Sequence, residues 1–170
     1  MNTHIVYSDE DNRLTPEMLT LMEQAVCTAV SQEFGDELAA EGMSADEAEF
    51  EVGLTIVSKD EIHQLNSEYR GIDRHTDVLS FPQFEGHEDI LEDLLIEGSD
   101  TLLGDVVICF DVAEEQAAEY DTGLTREMLY LFVHSIMHLF GYDHMEEEER
   151  TEMREHEESV LSSIGVERRK

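Results

Sequence analysis

Three histidines near the end of the chain carry its strongest chemical signal: His134, His138 and His144, in the run HSIMHLFGYDH. On an α-helix, four residues advance the chain ~6 Å and leave two side chains ~40° apart. His134 and His138 therefore share one helix face, where two imidazoles can grip one metal ion. Gly141 tolerates positive φ, so the chain can turn back after it and offer His144 as a third ligand. Three nitrogen ligands and an open fourth position describe a catalytic zinc site. A closed structural site would want a fourth protein ligand, and no Cys lies nearby. The helix is otherwise apolar, and unpartnered imidazoles would be costly in it.

The same spacing runs through the zinc-peptidase pattern H-E-x-x-H-x-x-G-x-x-H. In that pattern the Glu is the general base. Here the position is Ser135, which cannot take a proton at neutral pH. The metal geometry is retained and peptidase chemistry is disfavoured. A second stretch, residues 65–82, reads LNSEYRGIDRHTDVLSFP. Its pattern is a helix end, a turn and a strand, gathering Arg70, Asp73, Arg74, Thr76 and Asp77 between ordered elements. Asp143 and Asp105 are the nearest carboxylates, by motif, for orienting an imidazole or moving a proton. His4, His63, His87 and His156 carry no chemical expectation. His75 adjoins the second stretch.

These groups need a scaffold. Residues 3–7 read as a short strand. Thr15-Pro16 opens a helix whose Leu19, Met22, Val26 and Val30 form one apolar face. Gly35 should end it, leaving 36–49 as an acidic surface insertion. Residues 50–57 alternate as a half-buried strand, and Ser58 with Glu61 forms a capping box for a helix to about Tyr69. Gly71 stops that helix, and 76–81 is a strand closed by Pro82. A long loop should follow. Residues 102–110 are the best strand candidate. Asp111 and Thr125 should cap two helices, the second ending at Gly141, and a charged helix spans about 145–163. Strands mixed with helices in this order predict one α+β or α/β domain.

The chain has 170 residues, 42 acids and 10 bases, a formal net charge of −32. That excludes a general electrostatic grip on nucleic acid or anionic lipid. Disorder does not follow, because hydrophobic residues make up 41% and can offset chain entropy. The acids crowd into 35–49, 85–100 and the Glu146–Glu149 run, whereas 51–82 sets six acids against Lys59, Arg70 and Arg74. A repulsive exterior around a small cationic centre is expected, formed by a metal ion and Arg70 with Arg74 and Lys59. No run approaches the ~20 apolar residues of a membrane span, and the N-terminal residues lack a signal-peptide pattern. Cys27 and Cys109 sit in apolar surroundings and read as reduced, buried thiols. A cytoplasmic protein is expected.

Three linked motifs, LNSEYRGIDRHTDVLSFP, LLGDVVIC at 102–109 and HSIMHLFGYDH at 134–144, resemble the YbeY endoribonuclease family in order and separation. The likeness covers roughly residues 50–165. Two departures stand out: Ser135 where the family has Gly, and His75 where it has Pro. The resemblance implies an α+β fold: a mixed, mainly four-stranded sheet packed with helices, with a zincin-like metal helix, in a single domain spanning 1–170. It implies one Zn²⁺ ion held by His134, His138 and His144, with Arg70 as the basic residue of the active cleft. It implies single-strand-specific cleavage of RNA in ribosomal RNA maturation, at the small-subunit 3′ end, and in ribosome quality control. Small-subunit ribosomal proteins are the expected partners. Two other readings stay open: a metal-dependent hydrolase of another substrate, and a non-catalytic, ribosome-associated metal-binding protein. The oligomeric state and the attacking nucleophile are open as well.

Overall fold

The computed structural model describes residues 2–44, 47–96, 98, 100–143 and 146–166. Strand β1 (Asn2–Ser8) leads into helix α1 (Pro16–Ala40), then β2 (Glu49–Val57), α2 (Lys59–Arg70), β3 (Val78–Pro82) and α3 (His87–Leu94). Strand β4 (Asp100–Cys109) follows, then α4 (Phe110–Tyr120), α5 (Leu124–Leu139) and α6 (Glu147–Ser163). The sheet order is β1-β2-β4-β3. The β1–β2 and β2–β4 pairs are parallel and β3 is antiparallel to β4. The fold is therefore α+β with a mixed four-stranded sheet, as expected.

Alternation along the strands divides the apolar side chains between two faces. Phe50, Val52, Leu54, Leu103, Val106 and Ile108 join the main core with α1, α3, α5 and α6. On the other face Val57, Leu79, Val107 and Cys109 form a smaller cluster with Ile62 of α2 and Val112 of α4. Large side chains such as Phe34, Phe50, Phe132 and Phe140 are fully buried, each contributing about 1.5–3 kcal/mol of transfer free energy.

Local signals hold in several places. The Thr15 hydroxyl accepts from the Met18 amide, with Pro16 at the first helical position. Ser58 and Glu61 make the reciprocal capping box, and Gly71 ends α2 at φ 69°. Elsewhere tertiary packing overrides them. Helix α1 runs through Gly35 to Ala40 because Phe34 and Leu38 beyond the first apolar stripe are fully buried, outweighing the ~1 kcal/mol cost of a helical glycine. The expected insertion is thus partly helix. The expected loop after Pro82 holds α3, whose Ile90 and Leu94 seal the core. Helix α4 starts at Phe110 and α5 at Leu124, so neither Asp111 nor Thr125 is the capping residue.

One glycine is demanded by close approach. Gly104 sits at φ 146° beside the register shift between β2 and β4, and a Cβ there would lie 2.5 Å from the Phe81 carbonyl oxygen. This lets β3 and α5 close against β4. No helix among the described residues is long and apolar enough to cross a membrane. Cys109 is buried, which pushes its thiol pKa up; Cys27 is half-buried beside the Thr3 hydroxyl.

Candidate metal centre and active cleft

Helix α5 is buried almost all round: Met128, Leu129, Leu131, Phe132, Val133, Ile136 and Met137 all lie in the core. Such packing fixes its rotation about its axis. His134 and His138 emerge on the one face that opens to a cleft of about 640 Å³. Their Nε2 atoms converge to 3.2 Å. Two nitrogens bound tetrahedrally at ~2.0–2.1 Å from one zinc ion would be separated by about that distance.

Each ring is held from behind. The Nδ1 of His134 lies 2.7 Å from a Glu157 carboxylate oxygen, and that Glu side chain, on α6, is only 6% exposed. The Nδ1 of His138 lies 2.9 Å from the Tyr142 main-chain oxygen. Both partners are acceptors, so each Nδ1 carries a hydrogen, which turns each Nε2 toward the cleft. Two Nε2 atoms at this spacing suit a shared cation. A carboxylate or carbonyl behind a ligating imidazole is the usual orienting device. This donor set fits a divalent ion. His144 lies outside the described residues.

The cleft also brings in the second motif. Arg70 ends α2 and lines the cleft with Thr76, Asp77 and Ser80 from the following turn and strand. The Asp77 carboxylate accepts from the Val78 amide at 2.8 Å and the Gln116 side chain at 3.3 Å, which holds it in place. Tyr130, one turn before His134, stacks nearly parallel to it at 6.2 Å and lines the same cleft. Asp143 lines the cleft as well. Asp105 does not: its carboxylate lies over Gly53 on the sheet and is exposed. Among the described residues Arg70 is the one Lys or Arg lining the cleft. Lys59 is instead paired with Glu115 of α4, and Arg74 lends its carbonyl to Asn66. The expected cationic centre is thus narrower than its three bases.

Ser135 is fully buried, and its hydroxyl lies 2.6 Å from that of Ser80. It ties α5 to β3 and points away from a base's task. Gly141 takes φ 104°, and a Cβ there would lie 3.1 Å from Gly86 Cα. The turn after α5 is thus pressed against the start of α3.

A second group adjoins that contact. Glu37, His87 and Glu88 place ligand atoms within 4.8 Å of one another, a group with the geometry to hold a metal ion. His87 is bonded on both nitrogens, Nδ1 to Glu33 at 2.8 Å and Nε2 to Glu37 at 2.5 Å. Burial opposes its charge, but the two carboxylates outweigh burial and raise its pKa above 6.5. No motif in the sequence singles out His87, His156 or Glu157. The four-residue spacing of Glu33 and Glu37 puts them on one helix face; only the fold brings His87 between them.

The model of the endoribonuclease YbeY family matches residues 9–165. An endoribonuclease YbeY of Caldanaerobacter subterraneus subsp. tengcongensis is 46% identical over 160 residues, 93% of this chain and 97% of its own length. One of Heliobacterium modesticaldum is 38% identical over 172 residues, 99% of this chain and 98% of its own. The solution structure of TM1509 from Thermotoga maritima aligns with a TM-score of 0.54 at 26% identity, covering 95% of this chain and 90% of that one. By sequence over nearly its whole length, this chain belongs to the YbeY endoribonuclease family.

Proposed function

We propose that this protein is a zinc-dependent, single-strand-specific endoribonuclease of ribosomal RNA maturation and ribosome quality control, acting at the small-subunit 3′ end. His134, His138 and His144 hold one Zn²⁺, and Arg70 binds the scissile phosphate. The observation that carries this reading is the convergence of the His134 and His138 Nε2 atoms in a cleft that Arg70 also lines, in a chain of an endoribonuclease family. The whole of residues 1–170 acts as a single domain.

The ion would supply Lewis-acid charge at the reacting phosphate. The chain's own residues do the rest. Glu157 and the Tyr142 carbonyl hold the two rings with Nε2 toward the cleft. Arg70 offers two parallel N–H donors to phosphate oxygens. Asp77, fixed by the Val78 amide and Gln116, borders the path an RNA strand takes between β3 and α5. The net charge of −32 repels free RNA, so affinity for naked strands is low and salt-dependent. A basic small-subunit ribosomal protein, in the cytoplasm, delivers the substrate.

The test is cleavage of single-stranded and duplex RNA by protein stripped with chelator and reloaded with Zn²⁺, beside casein as a peptidase control. Cleavage of the single strand that vanishes on stripping and returns on reloading supports the reading. Undiminished cleavage by the stripped protein, or proteolysis without nuclease activity, would overturn it. A second comparison offers naked RNA and intact small-subunit particles, with faster cleavage expected on the particles.

A further inference from the structure

Tyr142 meets the candidate metal centre through its backbone and the rest of the molecule through its side chain. Its carbonyl oxygen takes the Nδ1–H of His138 at 2.9 Å. The position of that carbonyl therefore sets the ring orientation of His138. The carbonyl belongs to a short turn after Gly141, whose main chain returns to α5 through the Tyr142 amide and the Met137 oxygen at 3.1 Å. Its other anchor is the phenol. The hydroxyl donates to a Glu33 carboxylate oxygen at 2.8 Å and lies 3.0 Å from His156 Nε2, which then donates to it. The His156 and Tyr142 rings also touch, with centroids 4.9 Å apart.

Glu33 is itself held. Its second oxygen takes the Nδ1–H of His87, and its side chain is 11% exposed. Glu33 of helix α1 and His156 of helix α6 thus hold one turn, and His87 of α3 holds Glu33. Glu33 lies 109 residues before Tyr142 and His156 lies 14 after it, and neither belongs to the motifs that carry the expected chemistry.

We propose that Glu33 and His156 are positioning residues of the metal centre, acting on His138 through Tyr142. This rests on the reading that His134 and His138 bind a metal ion. A ligand's affinity depends on how firmly its orienting partner is held, and a loop partner is firm only where its own contacts lock it. Glu33 and His156 supply that lock.

The experiment measures Zn²⁺ affinity by competition with a chromogenic chelator, the visible spectrum of the Co²⁺-loaded protein, and the thermal midpoint of the stripped protein. Tyr142→Phe keeps the ring and its packing and removes only the hydroxyl. It should weaken Zn²⁺ binding about tenfold and shift the Co²⁺ bands, and Glu33→Gln should do the same, at the low end of effects seen for outer partners of ligating histidines. His156→Ala should weaken binding about threefold. Because both act through one contact, the Glu33→Gln/Tyr142→Phe double variant should bind no more weakly than the worse single one. Lower thermal midpoints with unchanged affinity and unchanged bands would show that the cluster only braces the fold, and would overturn the proposal. A wild-type protein that binds neither Zn²⁺ nor Co²⁺ would overturn the metal centre itself, and this proposal with it.

Discussion

Two histidine clusters adjoin the turn at Gly141, and they use the same side chain in opposite ways. In the cleft, His134 and His138 each give Nδ1 to an acceptor and leave Nε2 facing its neighbour across 3.2 Å. Beside α1, His87 gives both nitrogens to carboxylates, Glu33 and Glu37. The first arrangement turns two Nε2 atoms into one cleft, at a spacing that one cation can share. The second favours an imidazolium that supplies its own positive charge. Counting histidines near carboxylates does not separate the two; the partner each nitrogen meets does.

The comparison can be broken most sharply at His138. His138→Ala removes a proposed ligand and should lower Zn²⁺ affinity by more than the 10–100-fold of an outer-partner change, with RNA cleavage lost alongside. Metal analysis of purified protein reads the first effect and a gel assay the second. If His138→Ala keeps full metal content, the cleft is not the metal centre and the cluster at Glu37, His87 and Glu88 takes its place as the site to test.

Arg70→Ala should separate phosphate binding from metal binding. Cleavage should fall about 10²–10³-fold, the usual loss for one donor at a developing charge, while metal content stays at the wild-type level. A parallel fall in metal content would assign Arg70 to the architecture of the cleft.

Glu157→Gln tests what sets the His134 tautomer. Buried Glu157 becomes a neutral amide of the same volume, and Zn²⁺ affinity should drop roughly 10–100-fold. The drop should be absent at Glu37→Gln, which alters the other cluster. Equal losses at both positions would erase the distinction drawn between them.

The smallest effect belongs to His87 and is read as stability against pH. Its folded pKa lies above the ordinary 6.5 because Glu33 and Glu37 outweigh burial. The ionic contacts therefore contribute fully below the unfolded pKa and are lost as pH rises through the folded one. A His87→Gln variant should be less stable than wild type near about pH 6, and the gap should narrow toward about pH 9. Urea midpoints at several pH values measure it. A gap that widens with pH would mean that His87 is neutral in the folded protein.

Much of the site is legible in the order of residues along the chain. The four-residue spacing of His134 and His138 predicts a shared helix face, because helical periodicity is a local property of the backbone. The capping box at Ser58 and the stop at Gly71 place Arg70 at a helix end for the same reason. Illegible are the partners that decide what each imidazole can do. Glu157 is one glutamate of an acidic helix until α6 packs on α5 and buries it. Asp105 and Asp143 look alike as candidate carboxylates, yet strand alternation puts Asp105 over Gly53 on the sheet and Asp143 borders the cleft. Helix α1 overruns Gly35 and α3 forms in an expected loop, because burial of Phe34, Leu38, Ile90 and Leu94 is a property of the core rather than of the segment.

The net charge of −32 follows from composition alone, and the candidate ligands, their spacing and the family likeness follow from residue order. These depend on covalent sequence and on interactions within a few residues. Only the tertiary structure decided that Arg70, and neither Lys59 nor Arg74, lines the cleft that His134 and His138 line. It alone decided which acceptor holds the Nδ1 of each histidine, and that α1 and α6 reach the turn carrying Tyr142. Those outcomes depend on the packing of helices far apart in the chain, where the deciding free energy is the burial of a shared core.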